Sequence, residues 1–179
     1  MSAPVRLIPL QCPKCQTPVP AQPDEVAWVC AQCEQGMLIS DEKGATPLEV
    51  FFSASIVQDG IGRPFWVTQG TMTPVSRRTF SGGNNREMDD FWATPRLFYI
   101  PAFVLPIDNL LEEGTRLLRN PVGMNRGSVT RFQPVALAPE GIKALAEFIV
   151  MSIEAGRADK LKELKFDLNL AKAQLWILP

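Results

Sequence analysis

The chain has 179 residues, of which 46% are hydrophobic and 21% are charged, and its net charge is -1. These proportions are close to the averages of soluble globular proteins and exclude a fibrous or disordered chain. The near-neutral balance also lacks the overall positive excess that nucleic-acid and acidic-membrane binders usually carry. The length predicts one main domain plus a small module, and the 16 prolines favour short strands over a helical bundle.

The N-terminal residues contain no signal for export. Met1 to Pro9 has no apolar run that ends in a small-residue cleavage site, so we predict a cytoplasmic protein. The longest apolar stretch, Leu97 to Leu111, is interrupted by prolines and an aspartate. Since a spanning helix needs about 20 apolar residues, no membrane span is expected.

All four cysteines lie close together, in two Cys-x-x-Cys pairs separated by 14 residues. They are Cys12, Cys15, Cys30 and Cys33. Two residues between thiolates allow a tight turn to aim both sulfurs at one point, and two such turns complete a tetrahedron that suits zinc. The spacing therefore predicts one structural Zn²⁺ with all four cysteines as ligands and no open position for substrate.

Three other uses of the cysteines are weaker. Two disulfides rarely persist in a reducing compartment. A thioredoxin-like redox centre needs a single pair at the start of a helix. Iron is the alternative that is hardest to exclude, because a four-thiolate site accepts either metal and metal availability at expression can decide which one is found.

The segments Ile8-Pro9-Leu10-Gln11-Cys12-Pro13-Lys14-Cys15 and Trp28-Val29-Cys30-Ala31-Gln32-Cys33 resemble a zinc ribbon of the rubredoxin-like kind, over about residues 6 to 40. The resemblance implies a metal that holds together a module too small for its own core. In that family, glycine usually follows the second cysteine of each pair, whereas Gln16 and Glu34 stand here. Such ribbons occur in transcription factors, polymerase subunits and ribosomal proteins, so the resemblance selects no single function.

Composition divides the chain into a zinc ribbon over residues 1–40, a polar linker over 41–47 and a body over 48–179. Leu48 to Val57 and Phe65 to Thr73 are rich in β-branched and aromatic residues and flank an Asp-Gly step. This pattern predicts two antiparallel strands that form a hairpin. The glycine-rich, polar segment from Ser81 to Glu87 predicts an exposed loop.

The second half of the body predicts strands and two helices. Leu97 to Leu105 is typical of a strand, and Ile107 to Arg119 has helical apolar spacing. Phe132 to Leu137 predicts a short strand, and the clearest helix runs from Pro139 to a stop at Gly156. Residues 164–170 and 173–178 predict a closing strand or hairpin, with an extension of the helix over residues 159–165 as the alternative. The fold class is therefore α+β, with a small N-terminal zinc ribbon followed by mostly antiparallel strands and two helices.

An enzyme is not expected. The chain has no histidine, its four cysteines are committed to metal, and no nucleophile elbow or marked carboxylate pair is present. The first hypothesis is a protein-interaction adaptor or assembly subunit, with a protein partner or self-association. Its candidate anchors are the four tryptophans, for which core packing is the competing interpretation. They are Trp28, Trp66, Trp92 and Trp176.

The alternative hypothesis is a transcription-associated, nucleic-acid-binding protein. Residues 51–135 carry nine arginines and seven acidic groups, and arginine binds phosphate well. Phosphate contacts would come from Arg77, Arg78, Arg86, Arg126 and Arg131. Against this hypothesis, the first 50 residues carry more acidic than basic groups, and few aromatic residues alternate with the arginines.

Overall fold

The computed structural model of the protein describes residues 9–40, 42–82 and 85–179. Parts of the predictions for the N-terminal nine residues, the linker and the loop at 81–87 lie outside these ranges. The described residues form two sheets and three α-helices, which confirms the α+β class. The strands are β1 Ala27–Val29, β2 Gly36–Ser40, β3 Gly44–Pro47, β4 Val50–Phe52, β5 Arg63–Thr79, β6 Arg96–Pro101, β7 Leu161–Leu170 and β8 Gln174–Leu178. The helices are α1 Arg86–Trp92, α2 Ile107–Arg119 and α3 Ile142–Ala155.

The small sheet belongs to the cysteine-containing segment. Its strands are antiparallel, in the order β1, β2, β3. Residues 44–47, expected in a linker, instead form β3, because the turn after β2 returns the chain into register with Leu38 paired to Thr46. The two-domain division itself stays a prediction.

The large sheet is organised around β5, a strand of 17 residues. β6 pairs with one side of it, and β7 and β8 pair in succession with the other, all antiparallel. In the middle of the sheet, Trp66 is flanked by Ile100 and Leu175. β7 and β8 are thus a closing strand with an interruption at residues 171–173, and they do not form a hairpin with each other.

The predicted hairpin between residues 48–57 and 65–73 is wrong. β4 is only three residues long and pairs with β8, in parallel. The Asp-Gly turn is present, with a positive φ of 61° at Asp59. However, the chain beyond it pairs elsewhere, since the Gly62 amide donates to the Arg131 carbonyl at 2.9 Å. Phe51 and Phe52 of β4 are both buried.

The two predicted helices are present, but a third was missed. α2 has the predicted bounds, and α3 follows a 3₁₀ turn at Pro139–Gly141. The missed helix, α1, begins inside the segment expected as a loop and buries Met88 and Trp92 one turn apart. None of the helices in the described ranges is long and apolar enough to span a membrane.

Two strand predictions were too long. β6 ends at Pro101 rather than at residue 105. The expected strand over residues 132–137 is reduced to two isolated bridges, at Phe132 and Val135. Pro134 lies between these bridges and has no amide proton to donate to a ladder.

The small sheet packs directly on the body. The Val26 amide donates to the Val135 carbonyl at 2.8 Å, and Ala27 is 1% exposed within the main core. Val26 and Leu38 pack against the same core, which α3 covers. The cysteine-containing segment therefore packs against the body beside residues 129–135.

Candidate metal centre

The four cysteines sit in two turns with the same hydrogen-bond pattern. In the first, the Gln16 amide donates to the Cys12 carbonyl at 2.9 Å, and the Cys12 amide donates to the Thr17 carbonyl at 2.9 Å. In the second, Glu34 and Gln35 take the corresponding places around Cys30, at 2.9 and 3.0 Å. The Cys-x-x-Cys spacing thus produces two equivalent knuckles.

Each knuckle requires a left-handed residue after its second cysteine. Gln16 has a φ of 61° and Glu34 a φ of 57°, in the region that favours glycine. Although glycine is missing at both positions, the knuckle geometry is kept. The chain therefore holds two strained backbone positions next to the clustered cysteines.

The four sulfurs converge on one point. All four Sγ atoms lie within 4.8 Å of one another. Two close pairs cross between the knuckles, with Cys12 and Cys33 at 3.6 Å and Cys15 and Cys30 at 3.5 Å. A Zn–S distance of about 2.3 Å gives a tetrahedron with edges of about 3.8 Å, so the donor set fits a four-coordinate metal. These separations are far longer than a disulfide bond of about 2.05 Å.

The electrostatics of the cluster favour a bound cation. The Thr17 hydroxyl, 3.1 Å from the Cys15 sulfur, and the Thr17 amide lower the pKa of Cys15 to about 6. At Cys33, the Gln35 amide favours the thiolate, but desolvation and the three neighbouring sulfurs raise its pKa to about 12. Four thiolates this close repel one another unless a divalent ion neutralises them.

An apolar shell covers one side of the cluster. Met37 is fully buried against Cys12 and Cys30, and Val19, Trp28 and Ala45 pack around them. Sequence reasoning missed Thr17, whose hydroxyl contacts a ligand, although a hydroxyl two residues after a Cys-x-x-Cys pair is a usable signal. The four sulfurs offer no group that would bind or activate a substrate.

A cleft of about 690 Å³ lies where the second knuckle and β1 meet the body. Its apolar wall contains Trp28, Phe132, and the exposed side chains of Ile61 and Val129. Its charged lining contains three carboxylates and one guanidinium, from Glu25, Glu34, Asp59 and Arg131. We call this the seam cleft. Sequence reasoning missed it because its lining comes from three separate parts of the chain, residues 25–34, 59–61 and 129–134.

The arginines named for phosphate binding do not form one open surface. The prediction that Arg77 contacts phosphate is wrong, because its side chain is 1% exposed and is paired with Glu154 and Asp159. Arg78 is paired with Glu163. Arg126 lies over the Phe51 ring at 4.4 Å. Arg77 and Arg78 are therefore paired with carboxylates of the same chain, and Arg126 contacts an aromatic ring.

The tryptophans are mainly core residues. Trp66, Trp92 and Trp176 are buried in the body, and the indole of Trp92 donates to the Glu154 carboxylate at 2.9 Å. Trp28 is half-buried and lines the seam cleft. Of the four candidate anchors, only Trp28 lies where a partner would reach it.

Comparison with known proteins gave no relative that assigns a function to this site: no family model, no curated protein and no solved structure matches the chain.

Proposed function

We propose that this chain is a non-enzymatic zinc-ribbon protein that acts in the cytoplasm as a protein-interaction adaptor or assembly subunit. One Zn²⁺ on Cys12, Cys15, Cys30 and Cys33 holds the ribbon in place. The observation that carries the proposal is the seam cleft, because it brings apolar side chains of the ribbon and of the body to one accessible place. The metal maintains one wall of the binding surface.

The lining of the cleft defines the partner. Interfaces are anchored by apolar side chains in desolvated pockets, with polar groups at the rim. Here the anchor sites are Trp28, Ile61 and Val129, and carboxylates outnumber guanidinium groups in the lining. The partner is therefore a protein segment with an apolar side chain next to lysine or arginine.

The zinc part of the proposal is tested by elemental analysis of protein purified without a metal-affinity tag. We expect one zinc per chain. The Cys15→Ser, Cys33→Ser double variant should retain much less than one. Iron in place of zinc, or titratable disulfides in the native protein, would contradict the assignment.

The adaptor part is tested with peptides selected from a random displayed library on the zinc-loaded protein. Enriched sequences should combine an apolar residue with a basic one, and Trp28→Ala and Val129→Asp should each weaken their binding about tenfold or more. Val75→Asp is the matched control, because Val75 is exposed but does not line the cleft. Equal loss in the control, or binding of duplex DNA or RNA that weakens steeply with salt, would overturn the adaptor assignment.

A further inference from the structure

The second half of β5 and most of β7 form a two-stranded arm. β6 reaches only as far as Gly70, so Thr71 to Thr79 pairs on one side with β7, from Asn169 back to Leu161. α3 packs near β7, and Leu168 is buried in the core. The arm leaves two strand edges beyond the main sheet.

The two edges differ in how well they are protected. The β5 edge contains Pro74, which has no amide proton, and a bulge with its extra residue at Val75. Both features oppose pairing with another strand. β7 has neither proline nor glycine, and its residues pair consecutively from Glu163 to Asn169. In the described part of the chain it pairs only with β5. A continuous edge of seven residues is a template for a further strand.

The side chains of this edge are complementary to a second copy of itself. Antiparallel pairing about a twofold axis at Phe166 places Lys165 opposite Asp167 of the second copy, twice. It also pairs Phe166 with itself and Leu164 with Leu168, and such aromatic, aliphatic and opposite-charge pairs all stabilise sheets. The outer face of the joined strands would then alternate in charge.

Other registers fit less well. An axis at Lys165 or at Asp167 places like charges directly opposite each other. An axis at Leu164 pairs Glu163 with Lys165, but it extends the pairing across Lys162, where β7 has its own register shift. The axis at Phe166 keeps all seven pairs within the continuous part of the strand.

We propose that two copies of this chain associate through β7, antiparallel and centred on Phe166, so that the two arms form one continuous four-stranded sheet. The surface is separate from the seam cleft and uses none of its residues. A dimer would present two clefts, one on each copy. Loss of the dimer and loss of peptide binding are therefore distinguishable results.

The test uses sedimentation of the zinc-loaded protein over a series of concentrations. The wild type should approach twice the chain mass of 19.8 kDa. Lys165→Glu and Asp167→Lys each create two like-charge pairs in the proposed register, so each should weaken the dimer by about tenfold or more. Mixing these two variants should restore it, because each chain then supplies the charge that the other lacks.

Control variants distinguish the Phe166 register from a general effect of surface charge. Lys172→Glu makes the same charge change on an exposed residue outside β7 and should leave the dimer unchanged. Trp28→Ala should also leave the mass unchanged. A wild type that stays monomeric throughout the series, or a dimer that neither β7 variant weakens, would refute the proposal. Restoration by mixing Lys165→Glu with Glu163→Lys instead would overturn the Phe166 register in favour of Leu164.

Discussion

At the scale of single residues, the metal centre depends on backbone conformation as much as on its ligands. Gln16 and Glu34 adopt a left-handed conformation that costs a residue with a side chain about 1–2 kcal/mol. The strain is local, and it lies directly beside Cys15 and Cys33. The binding energy of a metal is large enough to maintain such positions.

The first prediction concerns this strain. Gln16→Gly should raise the free energy of unfolding of the zinc-loaded protein by up to about 1 kcal/mol, because glycine adopts the positive φ without steric cost. Gln32→Gly is the matched control. Gln32 is also exposed in a knuckle, but its φ is not positive, so the change should lower stability by a few tenths to about 1 kcal/mol. Urea unfolding of both variants measures the difference, and equal effects would contradict the strain argument.

The clustering of the four cysteines was predictable from the sequence, whereas its surroundings were not. Four cysteines at two-residue spacing define a local geometry, because each knuckle is a single turn. The contacts of Arg77 with Glu154 and Asp159 join residues that are distant in sequence, and no local pattern marks them. For this reason an arginine expected at the surface is buried.

At the scale of elements, periodic segments were predicted best. α2 and α3 repeat apolar residues every three to four positions, which fixes their type. The predicted hairpin between residues 48–57 and 65–73 failed because a turn signal shows where the chain bends but not which strand it joins. β4 pairs with β8 instead, and this pairing depends on the whole sheet.

The contact between α2 and α3 provides the second prediction. A Cβ at Gly114 would lie 2.4 Å from Ile149 Cδ1, and Ile149 is fully buried. Gly114→Ala should therefore destabilise the protein by about 1–3 kcal/mol, although alanine is the better helix former by about 1 kcal/mol.

A double-mutant cycle tests the cause of this effect. Ile149→Val removes the Cδ1 atom, so the loss in the double variant should be smaller than the sum of the single losses. Gly123→Ala is the control, since a Cβ there would meet only Asn125 Nδ2, at 3.9 Å. Strict additivity at positions 114 and 149 would show that crowding is not the reason.

At the scale of the whole molecule, the cysteine-containing segment and the rest of the chain share a core. Ala27 is as buried as the centre of the large sheet, and the amide of the preceding residue, Val26, donates a hydrogen bond to the Val135 carbonyl. Structures that share buried contacts in this way tend to unfold together. The metal should therefore stabilise the body as well as the ribbon.

The third prediction follows from this shared core. Calorimetry of the zinc-loaded protein should show one unfolding transition, and chelation should move that transition to lower temperature. Chelator already saturated with zinc is the control and should have no effect. Two resolved transitions, of which chelation removes only the smaller, would show that ribbon and body unfold independently.

The position of β8 between β4 and β5 sets the order in which the chain folds. Phe51 pairs with Trp176, so β4 cannot join the sheet before β8 has been made. Contacts this distant in sequence form slowly because a long loop must close first. The four cysteines and all strands of the small sheet lie within the first 47 residues, whereas the core that Ala27 shares with the body needs residues made later. We therefore expect the cysteines to be available to a metal before β8 has been made, and the small sheet to gain its packing on the body only afterwards.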